Sequence, residues 1–121
     1  MNLALPFWPM QPAKLDIVHQ PSANGTLVAH LSGKLSLETV NGFLQQLRLV
    51  DSEKLVLDMS GVSFLDSAGV GALVQLFVHR RGKSQKLALA ALTQQGVAIM
   101  QVSGLVKLIP SFSTVDGASA A

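Results

Sequence analysis

Two apolar patterns alternate along this chain. Leu55-Val56-Leu57 and Leu87-Ala88-Leu89-Ala90-Ala91-Leu92 are continuous apolar runs of strand length, as expected of strands covered on both faces. Between them Val70, Leu73, Val74, Phe77 and Val78 recur at helical spacing. That spacing predicts a central helix with those five turned inward and Ala72, Leu76 and His79 toward the other side, Leu76 partly exposed. Earlier, Leu37, Val40, Leu44 and Leu47 predict a helix ending near Val50. Ser36 is its expected N-cap, Glu38 sits in its first turn, and Thr39, Gln45, Gln46 and Arg48 form its solvated face. Thr93 or Gln94 opens a third helix, with Val97, Met100 and Ile99 inward and Ser103-Gly104-Leu105 as its stop.

The remaining segments read as strands and turns. Lys14 to Gln20 and Thr26 to Leu31 make a hairpin across Pro21-Ser22-Ala23-Asn24-Gly25, where Asn24-Gly25 is a strong turn dipeptide. Ser32-Gly33-Lys34 follows as a loop, and Gly82 is expected to take the left-handed cap of the central helix. The alanines between Leu87 and Leu92 also suit a helix by propensity, but the surrounding pattern favours a strand. Leu108-Ile109 reads as a last short strand ended by Pro110, and Ser113 to Ala121 as either a final helical turn or a frayed tail. Strands alternating with helices after an opening hairpin predict an α/β fold with a mixed β-sheet of about four to five strands.

Composition narrows this to one compact domain. The chain has 121 residues, 49% of them hydrophobic and 13% charged, far from a disordered composition. A net charge of +2 gives no case for nucleic acid as a direct partner. Arg80, Arg81, Lys83 and Lys86 form a basic cluster, but no aromatic residues are interleaved for base stacking, and cations at a helix C-terminus complement its dipole. They read as a solvated cap. With no cysteine, disulfides, thiolate metal sites and cysteine nucleophiles are excluded, which fits a cytoplasmic setting. Residues 1–13 form an apolar arm broken by prolines, too short for a membrane span and lacking the charge of a signal peptide. Phe7 and Trp8 in that arm could pack on the domain or on a second subunit. The domain is expected over residues 14–116, with a small-residue tail over 117–121.

The chemically loaded stretch runs from Asp58 to Gly69: Asp58-Met59-Ser60-Gly61-Val62-Ser63-Phe64-Leu65-Asp66-Ser67-Ala68-Gly69. It reads as a strand ending in carboxylates and hydroxyls, a loop, and a helix start at Ser67. There the unpartnered N–H groups of a first turn gather positive charge and could hold an anion. Judged locally, Asp66 and Ser67 are good N-caps, and Asp58 is a loop-capping carboxylate. His19, His30 and His79 lack metal-ligand spacing, so no metal and no cofactor are expected. Gly61, Gly69 and Gly71 form neither a Walker nor a Rossmann fingerprint. An enzyme using Asp58 and Asp66 as an acid/base pair is the less favoured class.

The order of residues from Leu55 to Leu73 closely resembles the signature of STAS domains, in particular of bacterial anti-sigma-factor antagonists. The signature is a strand ending in Asp-Leu-Ser, here Asp58-Met59-Ser60, a loop with Val and Phe, then Asp-Ser-Ser/Ala-Gly at a helix start. The glycine after the central helix, the strand Leu87 to Leu92, and Ser103-Gly104-Leu105-Val106-Lys107-Leu108-Ile109 follow in the family's order. The resemblance covers about Leu15 to Val115. It implies a mixed sheet with helices packed mainly on one face. It also implies that Ser67 is the residue phosphorylated by an anti-sigma factor that is itself a serine kinase. The unmodified antagonist then binds that kinase and frees a sigma factor, the phosphorylated form lets go, and a phosphatase restores it.

On this reading Asp58, Ser60, Asp66 and Gly69 support the switch loop, and Ser63, Ala68, Ala72, Leu76 and His79 form the partner-binding surface. Ala68 stands where many relatives have a second serine, which leaves Ser67 as the acceptor in this motif. The alternative is a STAS regulatory subunit of a transporter or of a stress-signalling complex. Whether the chain forms a dimer or binds nucleotide stays open at this point.

Overall fold

The computed structural model describes residues 13–121; the arm from Met1 to Pro12, with Phe7 and Trp8, lies outside the described residues. The elements are β1 (Leu15–Pro21), β2 (Thr26–Leu35), α1 (Val40–Leu47), β3 (Lys54–Leu65), α2 (Ser67–Gly82), β4 (Lys86–Ala90), α3 (Gln94–Val102), β5 (Ser111–Phe112) and α4 (Val115–Ala120). The sheet order is β1-β2-β3-β4-β5, with β1 antiparallel to β2 and every later pair parallel. Parallel neighbours need crossovers, and α1, α2 and α3 supply them.

Strand alternation sorts the core into two layers. Ala29, Leu31, Leu55, Leu57, Leu87 and Leu89 meet Phe43, Leu44 and Leu47 of α1, Leu73 and Leu76 of α2, and Met100 of α3. On the other face Val28, Val56, Ala88 and Ala90 meet Ala118 of α4. Ala88 and Ala90, two of the alanines that make the Leu87 to Leu92 run ambiguous, face this helix, where small side chains let α4 approach the sheet closely. The result is a mixed α/β sandwich with three helices on one face and a short one on the other.

The hairpin forms as expected, with Asn24 at φ 61° and Gly25 at φ 73°, the left-handed pair of a tight turn. Several boundaries differ from expectation. Ser32-Gly33-Lys34 is not a loop, because β2 runs on to Leu35. Gly33, at φ 123°, lets the Lys14 carbonyl approach to within 2.2 Å of where a Cβ would stand. Helix α1 begins at Val40, not at Leu37. Ser36 does not cap it: Thr39 Oγ1 accepts from the Ser36 N–H and donates to the Lys34 carbonyl, closing a turn that leaves Leu37 in solvent. Gly82 is not the left-handed cap; Ser84 is, at φ 58°, with the Gln85 N–H reaching back to the Arg80 carbonyl.

Toward the C-terminus, Thr93 caps α3 by accepting from the Gly96 N–H, and Gly104 ends its turn at φ 75°. Val97 points outward. Leu108-Ile109 is not a strand: a short 3-10 turn over Leu105–Lys107 intervenes, and β5 forms after Pro110. Of the two readings of Ser113 to Ala121 the helical one is found, capped by Thr114. The tail expected over 117–121 is therefore helix through Ala120, with Ala118 fully buried.

Candidate functional site

The stretch from Asp58 to Asp66 is not a loop. β3 continues through it to Leu65, pairing residue by residue with β2 across two register shifts. Asp58 therefore sits in the middle of β3, and Asp66 just beyond its end as the N-cap of α2. Eight residues at about 3.3 Å each put them roughly 26 Å apart along an extended strand, so Asp58 and Ser60 do not support the start of α2.

What they form instead is a polar strip across the sheet face. His30 on β2 reaches Asp58 Oδ2 through Nδ1 and Gln20 Oε1 through Nε2, both at 2.6 Å. Asp58 Oδ1 accepts from the Ser60 N–H and from Ser60 Oγ. Burial raises the Asp58 carboxyl, but the hydrogen bonds from His30 and Ser60 and the His30 charge outweigh it and hold the group below its ordinary range.

At the other end of β3, Asp66 is held from two sides. Its Oδ1 accepts from the Gly69 N–H at 2.8 Å, capping α2, and its Oδ2 accepts from the Leu37 N–H at 3.1 Å in the turn after β2. Gly69 is required here: a Cβ would stand 2.2 Å from the Leu35 carbonyl oxygen. Gln95, from the start of α3, adds a further clamp. Its side-chain amide accepts from the Leu65 N–H at 3.0 Å and donates to the Leu65 carbonyl at 2.7 Å.

Ser67 is the first residue of α2 and is exposed. The Val70 N–H makes the first intrahelical bond, to the Asp66 carbonyl. The amides of Ser67 and Ala68 have no hydrogen-bond partner among the described residues. A hydroxyl therefore stands at a helix start with free N–H groups beside it and a fixed carboxylate next to it.

The sequence-predicted partner surface is only partly assembled. Ser63 is exposed and Ala68 half-buried near Ser67. Ala72 and Leu76 are fully buried against the core, so their side chains present no surface. His79 is twelve residues along the helix from Ser67, roughly 18 Å away at 1.5 Å per residue. Its Nε2 is buried without a hydrogen-bond partner among the described residues.

The inward face of α2 is Gly69, Val70, Ala72, Leu73, Leu76 and Arg80, while Val78 is 58% exposed. The cause is Arg80, which is not a solvated cap. It has no exposed surface, and its guanidinium donates to the carbonyls of Lys86, Val50 and Ser52. Burial lowers its pKa, with Asp51 opposing.

Three residues near Ser67 escape a reading of the sequence. Leu37, whose N–H is bonded to Asp66, is 73% exposed, and Phe64, two residues before Asp66, is 43% exposed. Phe64 carries a signal, an apolar residue following the polar Ser63 just before Asp66; Leu37 fits the apolar spacing of a helix it does not join. Nothing in the local sequence marks Gln95.

These features define a small α/β domain whose candidate site lies where parallel strands end and a central helix begins, the usual place for a site in open α/β sheets. The sequence profile of the STAS domain matches residues 14–118, and the chain belongs to the STAS domain family. Among solved structures it is similar to an anti-sigma factor antagonist from Mycobacterium paratuberculosis, with a TM-score of 0.80 and 24% identity over 88% of this chain and 92% of that one. The Bacillus cell fate determinant SpoIIAA in its phosphorylated form matches with a TM-score of 0.67 and 18% identity over 87% and 97%. A sulfate transporter family protein from Wolinella succinogenes matches with a TM-score of 0.73 and 16% identity over 84% and 87%. Among the described residues no group of three metal-ligating side chains gathers, and no helix is long and apolar enough to cross a membrane.

Proposed function

We propose that this protein is an anti-sigma-factor antagonist that works by partner switching, with Ser67 as the switch. The observation that carries the reading is the exposed Ser67 hydroxyl at the start of α2, beside an Asp66 whose two oxygens are both occupied by backbone N–H groups. The unmodified chain binds an anti-sigma factor that is also a serine kinase, in the cytoplasm of a bacterium, and so releases a sigma factor. The surface it offers is Ser63, Ser67 and Ala68 with the exposed Leu37 and Phe64.

The kinase ends the complex by chemistry done to the chain, not by it. Ser67 Oγ loses its proton and bonds the γ-phosphorus of ATP, the bond to the β-phosphate oxygen breaks, and ADP leaves. The new group adds about −1.5 to −2 charge. The free amides of Ser67 and Ala68 accommodate that charge, so the domain stays folded. Asp66 cannot turn away from it, since both of its oxygens are tied. The combined negative charge then expels the partner, and a phosphatase resets the switch by hydrolysing the phosphate ester with water.

A second reading, a regulatory STAS domain of a transporter or a stress-signalling complex, is supported by the fold likeness to the sulfate transporter family protein. It assigns Ser67 no necessary role. Binding of the cognate kinase-type anti-sigma factor to Ser67→Ala and Ser67→Asp separates the two. Partner switching predicts near-native affinity for Ser67→Ala and at least a tenfold loss for Ser67→Asp, about 1.4 kcal/mol. Equal affinities would count against charge-driven release.

A further inference from the structure

Two members of the basic cluster of the sequence, Arg81 and Lys86, border an apolar cavity at the far end of α2 from Ser67. Lys54 and Lys86 are register partners on β3 and β4, and Arg81 and Lys83 close the same end of the domain. Arg80 is consumed by backbone carbonyls, and Lys54 Nζ donates to the carbonyl oxygens of Ala121 and Ser119. Arg81 and Lys86 are exposed and make no ion pair among the described residues. Burial, and then the like charge of Lys86, hold the Lys54 ammonium below its ordinary range.

Lys54, Arg81 and Lys86 line a cavity of about 370 Å³, walled by Phe77, Pro110 and Phe112. That volume lies within the range of small-molecule pockets, roughly 300–1,000 Å³. Its floor includes a bare piece of strand edge. The Leu89 and Ala91 N–H groups donate outward to Pro110 and Phe112, but β5 pairs with β4 only from Leu89 on, and the Leu87 N–H on the same edge finds no backbone partner among the described residues. An apolar cleft thus offers one free N–H and two free cations.

We propose that this cavity binds a small amphiphilic carboxylate. The head is held by Arg81, Lys86 and the Leu87 N–H, and the aliphatic or aromatic body lies against Phe77, Pro110 and Phe112. Charge complementarity selects an anion, and the apolar walls select a molecule with a hydrophobic body over a bare inorganic ion. A partner strand would need alternating pairs along an open edge, and Pro110 closes that edge one step beyond Leu87. The proposal is independent of the role of Ser67.

The test is a titration of decanoate, below its aggregation concentration, into the isotope-labelled full chain, followed by backbone amide resonances. Decanol and phosphatidylglycerol vesicles serve as comparisons. Saturable shifts centred on Leu87, Ala88 and Phe112 are expected. Binding should weaken roughly tenfold for decanol and for the doubly substituted Arg81→Gln, Lys86→Gln chain, the order for two partly screened ionic contacts. Any of three results overturns the proposal: no saturable shift; shifts spread over exposed apolar residues such as Val18, Leu49 and Val102 and indifferent to the substitutions; or affinity for vesicles alone, which makes the site a membrane contact.

Discussion

Replacing Arg80 removes the donor for three backbone carbonyls at once. The guanidinium ties the end of α2 to Val50 and Ser52 before β3 and to Lys86 at the start of β4, at 3.2, 2.7 and 2.9 Å. Arg80→Met keeps most of the aliphatic stem, so the cavity term is small and the loss is mainly that of hydrogen bonding. Each buried acceptor left without a donor costs about 1–3 kcal/mol, reduced where water enters. With three such carbonyls, partly rehydrated, about 4 kcal/mol is expected for Arg80→Met. Against a stability of roughly 5–15 kcal/mol for a domain of this kind, that is a large fraction. With a urea m-value of about 1.5 kcal/mol/M, the unfolding midpoint should fall by roughly 2.7 M at unchanged m. Arg80→Lys should retain part of the loss, because an ammonium lacks the planar fork that reaches both sides. If Arg80→Met unfolds within about 1 kcal/mol of the native chain, the carbonyls are not held by Arg80 in the way described.

Gly69→Ala drives a methyl to 2.2 Å from the Leu35 carbonyl, so α2 must shift; a loss of about 1–3 kcal/mol is expected in urea unfolding. Gln95→Ala leaves both Leu65 main-chain groups without their side-chain partner, and hydrogen exchange of the Leu65 amide should speed up with about 1–2 kcal/mol of stability lost. Asp58 has its carboxyl pKa lowered from 3.8 in the folded chain, so its stabilisation is present above that value and is lost as pH falls through the depressed one. Asp58→Asn should therefore flatten the loss of stability on acidification in this window, measured by urea unfolding as a function of pH. An unchanged acid limb would mean that the bonds from His30 and Ser60 do not favour the ionised form.

The pieces of this fold that announce themselves are local. Asn24-Gly25, the caps Asp66 and Thr93, the stop at Gly104 and the apolar runs at Leu55 and Leu87 can each be read within a few residues, because turn geometry, capping and double-sided burial leave local marks. The extensions of β2 and β3 leave none. Ser32-Gly33-Lys34 and Ser60-Gly61 look like loops, yet each segment is extended because the other lies beside it in parallel, a pairing set by residues some thirty positions apart.

The face of α2 went astray for a different reason. An arginine reads as solvent-facing, and excluding Arg80 rotates the expected inward arc by about one residue, or 100°. Only the carbonyls of Val50, Ser52 and Lys86 make its burial tolerable, and those are invisible in the pattern. The rotation removed Ala72 and Leu76 from the surface and left the neighbourhood of Ser67 to Leu37 and Phe64. The case for Ser67 rests on the order of residues around it, since helix-start chemistry alone describes every serine in a first turn.

The most direct test of the switch is to incubate the unmodified chain with its cognate kinase-type anti-sigma factor and ATP, then map the phosphate by mass spectrometry while following the complex. The account predicts one phosphate, on Ser67, with dissociation of the complex in step with its appearance and neither event in Ser67→Ala. Phosphate on another residue, or a complex that persists after Ser67 is fully modified, would contradict it.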